Sequence, residues 1–325
     1  MSPTTRTPQR VLVTGATSLL GRTVVEQLLD RGDTVTCFQR SASRLDTGEV
    51  LGDVRDRDAL IDAARGQDAV VHVAALVGPR LDLREAYDVN VNGTRNVMAA
   101  AREGGRLVHI SSPSVAFAGI AAVAEPARPA TYAGTDVYAK TKALAERVVL
   151  DDGELTTVVI RPHLVWGPGD TQLVERIVRR ARAGRLRLPD DGRALIDTTY
   201  VSDAAGAIVA GLDHCVEGDE ASGRAWVVTG NDPRPLRELI DGIVRAARVN
   251  RRVGSVPAPV AALVGGVIDR WGRSDEPPLT YFSARQLSLA HWFDQRDTQR
   301  VLGWTPRYSV DDGLAELARW YERSL

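Results

Sequence analysis

Arg10-Val-Leu-Val-Thr14-Gly15-Ala-Thr-Ser18-Leu-Leu-Gly21 decides the fold. Its first half is a short β-branched run that ends at a glycine turn, the pattern of a buried strand. Its second half opens a helix, because residues 19–31 carry apolar side chains at helical spacing and Gly32 stops them. A strand that turns through glycine into a helix presents free backbone amides at the helix start, and those amides bind phosphate. Gly15 permits the tight turn and Gly21 permits close packing of helix on strand. The middle position, where a third glycine would let a pyrophosphate approach, is Ser18. That hydroxyl either crowds the phosphates or donates to them.

Moving outward, the pattern repeats. Residues 34–38, 50–51, 69–75, 106–110 and 156–160 read as strands. Residues 59–64, 83–103 and 137–150 between them read as helices. The run 69–75 is continuously apolar, as expected of a strand covered on both faces. Alternating strands and helices specify a parallel, doubly wound sheet with right-handed connections, the Rossmann type of α/β fold. After Arg161-Pro162 the alternation loosens. Residues 174–183 form a basic amphipathic helix whose arginines read as a solvated face. Residues 225–229 read as a late strand returning to the main sheet, and 236–249 as a further helix. The expected division is a dinucleotide-binding domain over 9–165, with returning segments at about 195–230. A mostly helical substrate-binding lobe would then span 166–194 and 231–325. Residues 271–295 mix Pro, Trp, Tyr, Phe and His, a composition suited to covering a substrate pocket.

The bulk numbers narrow the class. The 325 residues suffice for one large α/β domain or two lobes, and 44% hydrophobic with 26% charged residues is ordinary for a soluble enzyme. A formal net charge of −1 gives no footprint for nucleic acid. Cys37 and Cys215 offer neither a disulfide framework nor zinc spacing, so no metal is expected and a reducing, cytoplasmic setting fits. The longest apolar stretch, 256–268, holds two prolines and is too short to span a bilayer. It reads as a buried helix, with a membrane-touching patch as the lesser alternative.

The chemistry is carried by Tyr138-Ala-Lys-Thr-Lys142 and by Ser112 upstream. A tyrosine and a lysine four apart share one helix face. An ammonium there favours the phenolate and lowers the tyrosine pKa towards neutrality, which makes Tyr138 a candidate general acid/base. Ser112 is placed to orient a carbonyl or alcohol beside it. With the glycine turn, the three features in this order point to hydride transfer with a nicotinamide cofactor. Cofactor specificity is set just after the second strand, where an acidic residue would accept from the ribose of NAD. This chain has Gln39-Arg40-Ser41 instead. Arg40 pairs with a 2′-phosphate in one reading, favouring NADP(H), and is a solvated arginine in the other, leaving NAD(H) open. Asp53 is placed to meet the adenine, and Ala74-Ala75 leave room for the cofactor.

The sequence resembles the extended short-chain dehydrogenase/reductase superfamily, the NAD-dependent epimerase/dehydratase family, over nearly its whole length. The turn Thr14-Gly15…Gly21, Gly52-Asp53-Val54-Arg55-Asp56, His72-Val-Ala-Ala75, Asn90-Val-Asn-Gly-Thr94, Ser111-Ser112-Pro-Ser-Val115, Arg161-Pro162…Trp166-Gly-Pro168 and Leu302-Gly-Trp-Thr-Pro306…Gly313-Leu314 are similar to that family's motifs. Ser-Ser-Pro-Ser-Val and His291-Trp-Phe-Asp294 look most like the branch of 3β-hydroxysteroid dehydrogenases, sterol-4-carboxylate dehydrogenases and 3-oxo-acid reductases. The resemblance implies Tyr138 as acid/base, Lys142 as its activator and ribose partner, and Ser112, rather than Ser111, as the hydrogen-bond partner of the substrate oxygen. It implies cofactor contacts from Gly15, Thr17, Ser18, Leu19, Leu20, Gly21, Arg40, Asp53, Val54, Ala74, Ala75, Tyr138, Lys142, Pro162, His163 and Val165. Asn90 would support the site. His163 faces nicotinamide or substrate, or is a satisfied structural histidine. Asp203 reads as a helix cap. His72, His109 and Trp166 read as packing residues; so do Trp271 and Trp292, although both lie in the suspected lid.

Three functions follow. The first is a secondary-alcohol/ketone oxidoreductase acting on a steroid-like or β-hydroxy/β-keto substrate with an apolar body. The second is a nucleotide-sugar epimerase or dehydratase with the same catalytic set, whose diphosphate Arg176, Arg179, Arg180, Arg185 and Arg187 would hold. The third is a non-catalytic, nucleotide-sensing protein, which loss of the tyrosine or lysine would favour and which both residues argue against. A small-molecule substrate, no nucleic acid, no membrane span and a homodimer through helices 83–103 and 137–150 complete the expectation.

Overall fold

Val11, Leu12 and Val13 have no solvent exposure, as a strand covered on both faces requires. They belong to β1 (Arg10–Thr14), at the centre of the computed structural model, which describes residues 7–132, 134–271 and 280–324. Six more strands run parallel to it: β2 (Thr34–Gln39), β3 (Gly48–Leu51), β4 (Ala69–His72), β5 (Arg106–Ile110), β6 (Thr156–Pro162) and β7 (Arg224–Val228). Their spatial order is β7-β6-β5-β4-β1-β2-β3. The order reverses between β1 and β4, which pair with Thr14 opposite His72. A crevice opens at the carboxyl ends of strands at such a reversal, and ligands bind there.

The helices are α1 (Leu19–Asp30), α2 (Arg57–Ala64), α3 (Leu83–Tyr87), α4 (Gly93–Ala101), α5 (Val137–Leu150), α6 (Val174–Arg182), α7 (Val201–Asp213), α8 (Leu236–Ala246), α9 (Ala258–Trp271), α10 (Tyr281–Leu287), α11 (Arg296–Leu302) and α12 (Val310–Ser324). Because side chains alternate along a strand, Val11 and Val13 face one layer and Leu12 the other. The first layer is α1 and α7, through Val24, Leu28, Ile208 and Leu212. The second is α2, α4 and α5, through Leu60, Val97, Met98 and Val149. A third cluster joins α6, α8 and α12, with Ile177, Leu239, Ile243 and Leu317 at its centre. A small sheet of Arg234–Pro235, Leu195–Ile196, His291–Phe293 and Ala122–Glu125 lies beside it.

Several expectations are corrected. The strand expected over 69–75 ends at His72, where the Val73 amide turns back to the Thr14 carbonyl. The long helix expected over 83–103 is interrupted by a π turn at Asp88–Asn92. Asp203 does not cap its helix. It lies inside the first turn of α7 and accepts the Arg307 and Tyr308 amides, at 2.8 and 3.0 Å, from the segment leading to α12. The apolar stretch 256–268 is not a buried helix. In α9 only Ala261 and Gly265 are buried, against α10, while Leu263 and Trp271 are 70% and 73% exposed. A Cβ on Gly265 would meet the Thr280 carbonyl at 2.7 Å, so the small-residue stripe is what lets the two helices touch. Trp271 is therefore not a packing residue, whereas Trp166 is, with its indole N–H on the Thr198 hydroxyl at 2.9 Å. Trp292 is half-buried. Val301, Leu302 and Trp304 join the first core rather than the third. Part of the suspected lid, residues 272–279, lies outside the described residues.

Candidate active site

The turn after β1 is built by crowding. Gly15 has φ +79°, and a Cβ there would stand 2.7 Å from the Ala74 nitrogen. A Cβ on Gly21 would strike the Gly15 carbonyl oxygen at 2.3 Å, so α1 starts directly against the turn. Ser18 is the N-cap of α1: its hydroxyl accepts from the Gly21 amide at 3.0 Å and donates to the Gly15 carbonyl at 2.9 Å. The serine that breaks the glycine pattern is thus engaged with the turn itself.

Gly15, Thr17, Ser18, Leu19, Leu20, Arg40, Asp53, Val54, Ala74, Ala75, Ser112, Tyr138, Lys142, Pro162, His163 and Val165 all line one cleft of about 530 Å³. Gly21 lies behind it as the packing residue. Arg40 is exposed at the end of β2. Asp53 is engaged by Arg55 in a two-pronged pair of 2.9 and 2.7 Å, which holds its carboxyl below the usual range, with a smaller pull from Arg40. The donor set fits a dinucleotide: a helix N-terminus, a turn whose Ser18 hydroxyl is tied to its own backbone, and a basic group at the rim.

At the other end, Asp136 caps α5 by accepting the Ala139 amide at 2.8 Å, and α5 then carries Tyr138 and Lys142 on one face. Ser112 leaves β5 extended and caps the short turn Pro113–Ala116. Its hydroxyl takes the Ser114 hydroxyl at 3.0 Å, and its nearness pulls the Tyr138 phenol down in pKa. Ser111 also lines the cleft, with its buried hydroxyl unpartnered.

The expected lowering of the Tyr138 pKa is reversed. Burial pushes the phenol up to about 12, against the Ser112 hydrogen bond, which pulls it down. The Lys142 ammonium instead donates to the Ile110 carbonyl and lies 3.5 Å from His109 Nε2. Its burial brings it down to about 8. The physical reason is that β5 ends directly beneath α5, so its terminal carbonyl is the nearest strong acceptor.

Asn90 is expected to support the site, but its partners and two further contacts escaped the sequence reading. Asn90, in the π turn, accepts from the Leu76 amide at 2.7 Å and donates to the Leu76 carbonyl and the Thr141 hydroxyl. His72, read as packing, bridges Thr14 and Thr94 at 2.8 and 3.1 Å. Arg161 pairs with Glu146 in the interior. None of these had a local signal, since each joins residues far apart in sequence; the Asp136 cap did have one, an Asp directly before a helical run. His163 is both structural and cleft-facing: its Nδ1 is fixed by the Asp197 carbonyl at 2.6 Å while the ring lines the cleft. The arginines expected to hold a nucleotide-sugar diphosphate do not reach it. Among the described lining residues Arg40 is the one arginine, and Asp170 and Gln172 stand where α6 approaches.

The NAD dependent epimerase/dehydratase family profile matches residues 11–228. The chain belongs to that family. Over 95% of its length it is 37% identical to a 2-alkyl-3-oxoalkanoate reductase of Stenotrophomonas maltophilia, 98% of which is covered. It is 28% identical, over 98% of the chain and 93% of the relative, to a 3-beta-hydroxysteroid dehydrogenase of Mycolicibacterium neoaurum. The solved structure of MoeE5 in complex with UDP-glucuronic acid and NAD superposes with a TM-score of 0.73 at 25% identity, covering 97% of this chain and all of that one. The protein is accordingly an NAD(P)-dependent oxidoreductase of the extended short-chain type, interconverting a secondary alcohol and a ketone. Among the described residues no helix is long and apolar enough to cross a membrane, and no cluster of His, Cys, Asp and Glu is arranged to hold a metal.

Proposed function

We propose that this enzyme interconverts a 3-oxo acid and its 3-hydroxy counterpart, the acid bearing an apolar body, and that Ser112, Tyr138 and Lys142 carry the reaction. What supports the reading is that Ser112, Tyr138 and Lys142 line one cleft, in which Arg40 is the one arginine among the described lining residues. A nucleotide-sugar diphosphate would need several basic groups, whereas the cleft lining includes Leu76, Val77 and Phe282 and, in addition to Lys142, Arg40 as the one arginine among the described residues. The relatives named above are a 2-alkyl-3-oxoalkanoate reductase and a 3-beta-hydroxysteroid dehydrogenase, whose names describe a ketone or secondary alcohol carried on an apolar body.

When bound, the nicotinamide supplies or accepts the hydride. In reduction Ser112 hydrogen-bonds the ketone oxygen and Tyr138 delivers the proton that converts it to hydroxyl. Burial keeps Tyr138 protonated and so ready as the acid. Lys142 steadies the phenolate left behind. Asn90 fixes the Leu76 wall and Thr141 of α5, so the catalytic face does not drift. Arg40 favours NADP(H) by pairing with a 2′-phosphate. Residues 166–194 and 231–325, apart from the segment around Val301–Trp304 that packs on the first core, serve as the substrate lobe. The molecule works as a cytoplasmic homodimer through α4 and α5, a setting in keeping with the buried free thiols of Cys37 and Cys215.

The test is NAD(P)H consumption with a 2-alkyl-3-oxo ester or acid, beside epimerisation of UDP-hexoses. Ketone-dependent oxidation of the cofactor supports the reading. Sugar epimerisation without net cofactor turnover overturns it.

A further inference from the structure

A side cavity of about 40 Å³ lies behind the catalytic end of the cleft. Pro113, Ala116, Phe117 and Ile120, from the segment following β5, wall one side, and His291 and Phe293 wall the other. His163 and Gln286 line both the cavity and the main cleft, so the two spaces meet there. At 10–15 Å³ for each water-sized occupant, the cavity takes about three non-hydrogen atoms.

His291 is the unexplained residue in it. The side chain is buried, with the residue 3% exposed, yet neither Nδ1 nor Nε2 has a hydrogen-bond partner. Buried polar atoms are normally paired, and an imidazole with both nitrogens unmet asks for an explanation. The ring is not loose. Its backbone is locked between Ile196 and Ala122 in the small sheet, and the ring packs against Phe117 and His163 at centroid distances of 5.8 and 5.9 Å. The charged groups nearby are already matched: Arg161 with Glu146, and Arg128 with Glu125. His163 has committed its Nδ1 to a carbonyl. The donors left to meet an incoming group are the imidazole N–H of His291 and the amide of Gln286.

We propose that His291, with Gln286, forms a subsite for the carboxylate of the 3-oxo or 3-hydroxy acid, whose alkyl body stays in the main cleft. Three non-hydrogen atoms is the size of a carboxylate, and an acceptor-only group suits two donors. The assignment rests on the ketone–alcohol reading of the main cleft and gives that site a means of choosing acids over neutral ketones.

The experiment compares NAD(P)-linked oxidation of a 2-alkyl-3-hydroxy acid and of its methyl ester by wild type, His291→Phe and His291→Gln. NAD(P)H fluorescence titration checks that each variant still folds and binds cofactor. The expected result is a wild-type preference for the acid in kcat/KM, at least a tenfold fall in the acid-to-ester ratio for His291→Phe, and partial recovery in His291→Gln, which keeps a donor. A ratio unchanged within about twofold, or a wild type that oxidises the ester but not the acid, overturns the subsite and leaves the oxidoreductase reading standing. Turnover of neither compound counts against the substrate class, and the subsite is then decided by calorimetric binding of the hydroxy acid. Binding that His291→Phe abolishes supports it, and no binding to wild type overturns it.

Discussion

Arg161 on β6 reaches Glu146 on α5 and forms a two-pronged ion pair with it, their side chains 2% and 0% exposed. Glu146 lies one turn beyond Lys142 and two beyond Tyr138, so the pair pins the catalytic helix to the sheet at a fixed rotation. Removing one partner of such a pair strands a charge in the interior, at a cost of about 3–5 kcal/mol. Glu146→Gln is therefore expected to lower the unfolding free energy by that order and to shift the urea midpoint well down. A midpoint within error of wild type would mean that the pair contributes nothing.

Tyr138→Phe removes the proton donor and leaves the hydrophobic body of the ring. Turnover is expected to fall by roughly 10²–10⁴, with the NAD(P)H dissociation constant little changed. Because the phenol is held at about 12, alcohol oxidation, which needs the phenolate, should accelerate with rising pH. Stopped-flow or steady-state rates from pH 7 upward check both points, and a flat oxidation profile would remove Tyr138 from the role of base.

The interior histidines predict acid lability. Burial pushes His72 and His163 down to about 3, His291 to about 4, and His109 well down. Each is then neutral in the native state while the unfolded chain takes up a proton near pH 6.5. Between pH 4 and 6.5 the unfolded state binds more protons, so stability present above pH 6.5 is lost as the pH falls, by up to about 1.4 kcal/mol per pH unit for each histidine. Asp197, raised by burial to about 6, offsets one of the four over part of that window. Denaturant titrations at pH 7.5 and 5 should show a clear loss of stability at the lower value; equal stability would contradict the burial of these rings.

Arg40 stands at the rim of the cleft with no competing acidic residue beside it in sequence. If it meets a 2′-phosphate, Arg40→Ala loses a charge-assisted hydrogen bond of about 1.5–3 kcal/mol. NADPH affinity should drop roughly 10–100-fold by the same principle, while NADH affinity stays put. Nicotinamide fluorescence titrations decide it, and equal losses for both cofactors would return Arg40 to the solvent.

What was legible in the sequence was what local pattern controls. The seven strands, the bounds of α5 and the glycine turn all follow from runs and spacings within a dozen residues. The failures share one cause, which is that the deciding partner lies elsewhere in the chain. Lys142 finds the Ile110 carbonyl 32 residues back, and Asp203 finds amides 104 and 105 residues ahead. The apolar run now in α9 says that its residues avoid water, but not that, among the described residues, it is chiefly α10 that packs on them. A position-by-position comparison of the motif leaves Ser18 either crowding the phosphates or donating to them; its role as the N-cap of α1 depends on the fold of the turn.

The π turn at Asp88–Asn92 has a consequence for how this wall of the cleft tolerates change. A π turn widens the helix by about one residue relative to the α repeat, so α3 and α4 are threads of one screw cut out of phase by roughly 100°. One thread is set by the cleft through Asn90 and Leu76, and the other by the packing of Val97 and Met98 in the second layer. A one-residue deletion here would heal the screw into a regular helix and break the alignment of one end or the other. The irregular turn is a vernier, and the length of this segment is therefore fixed more tightly than its composition.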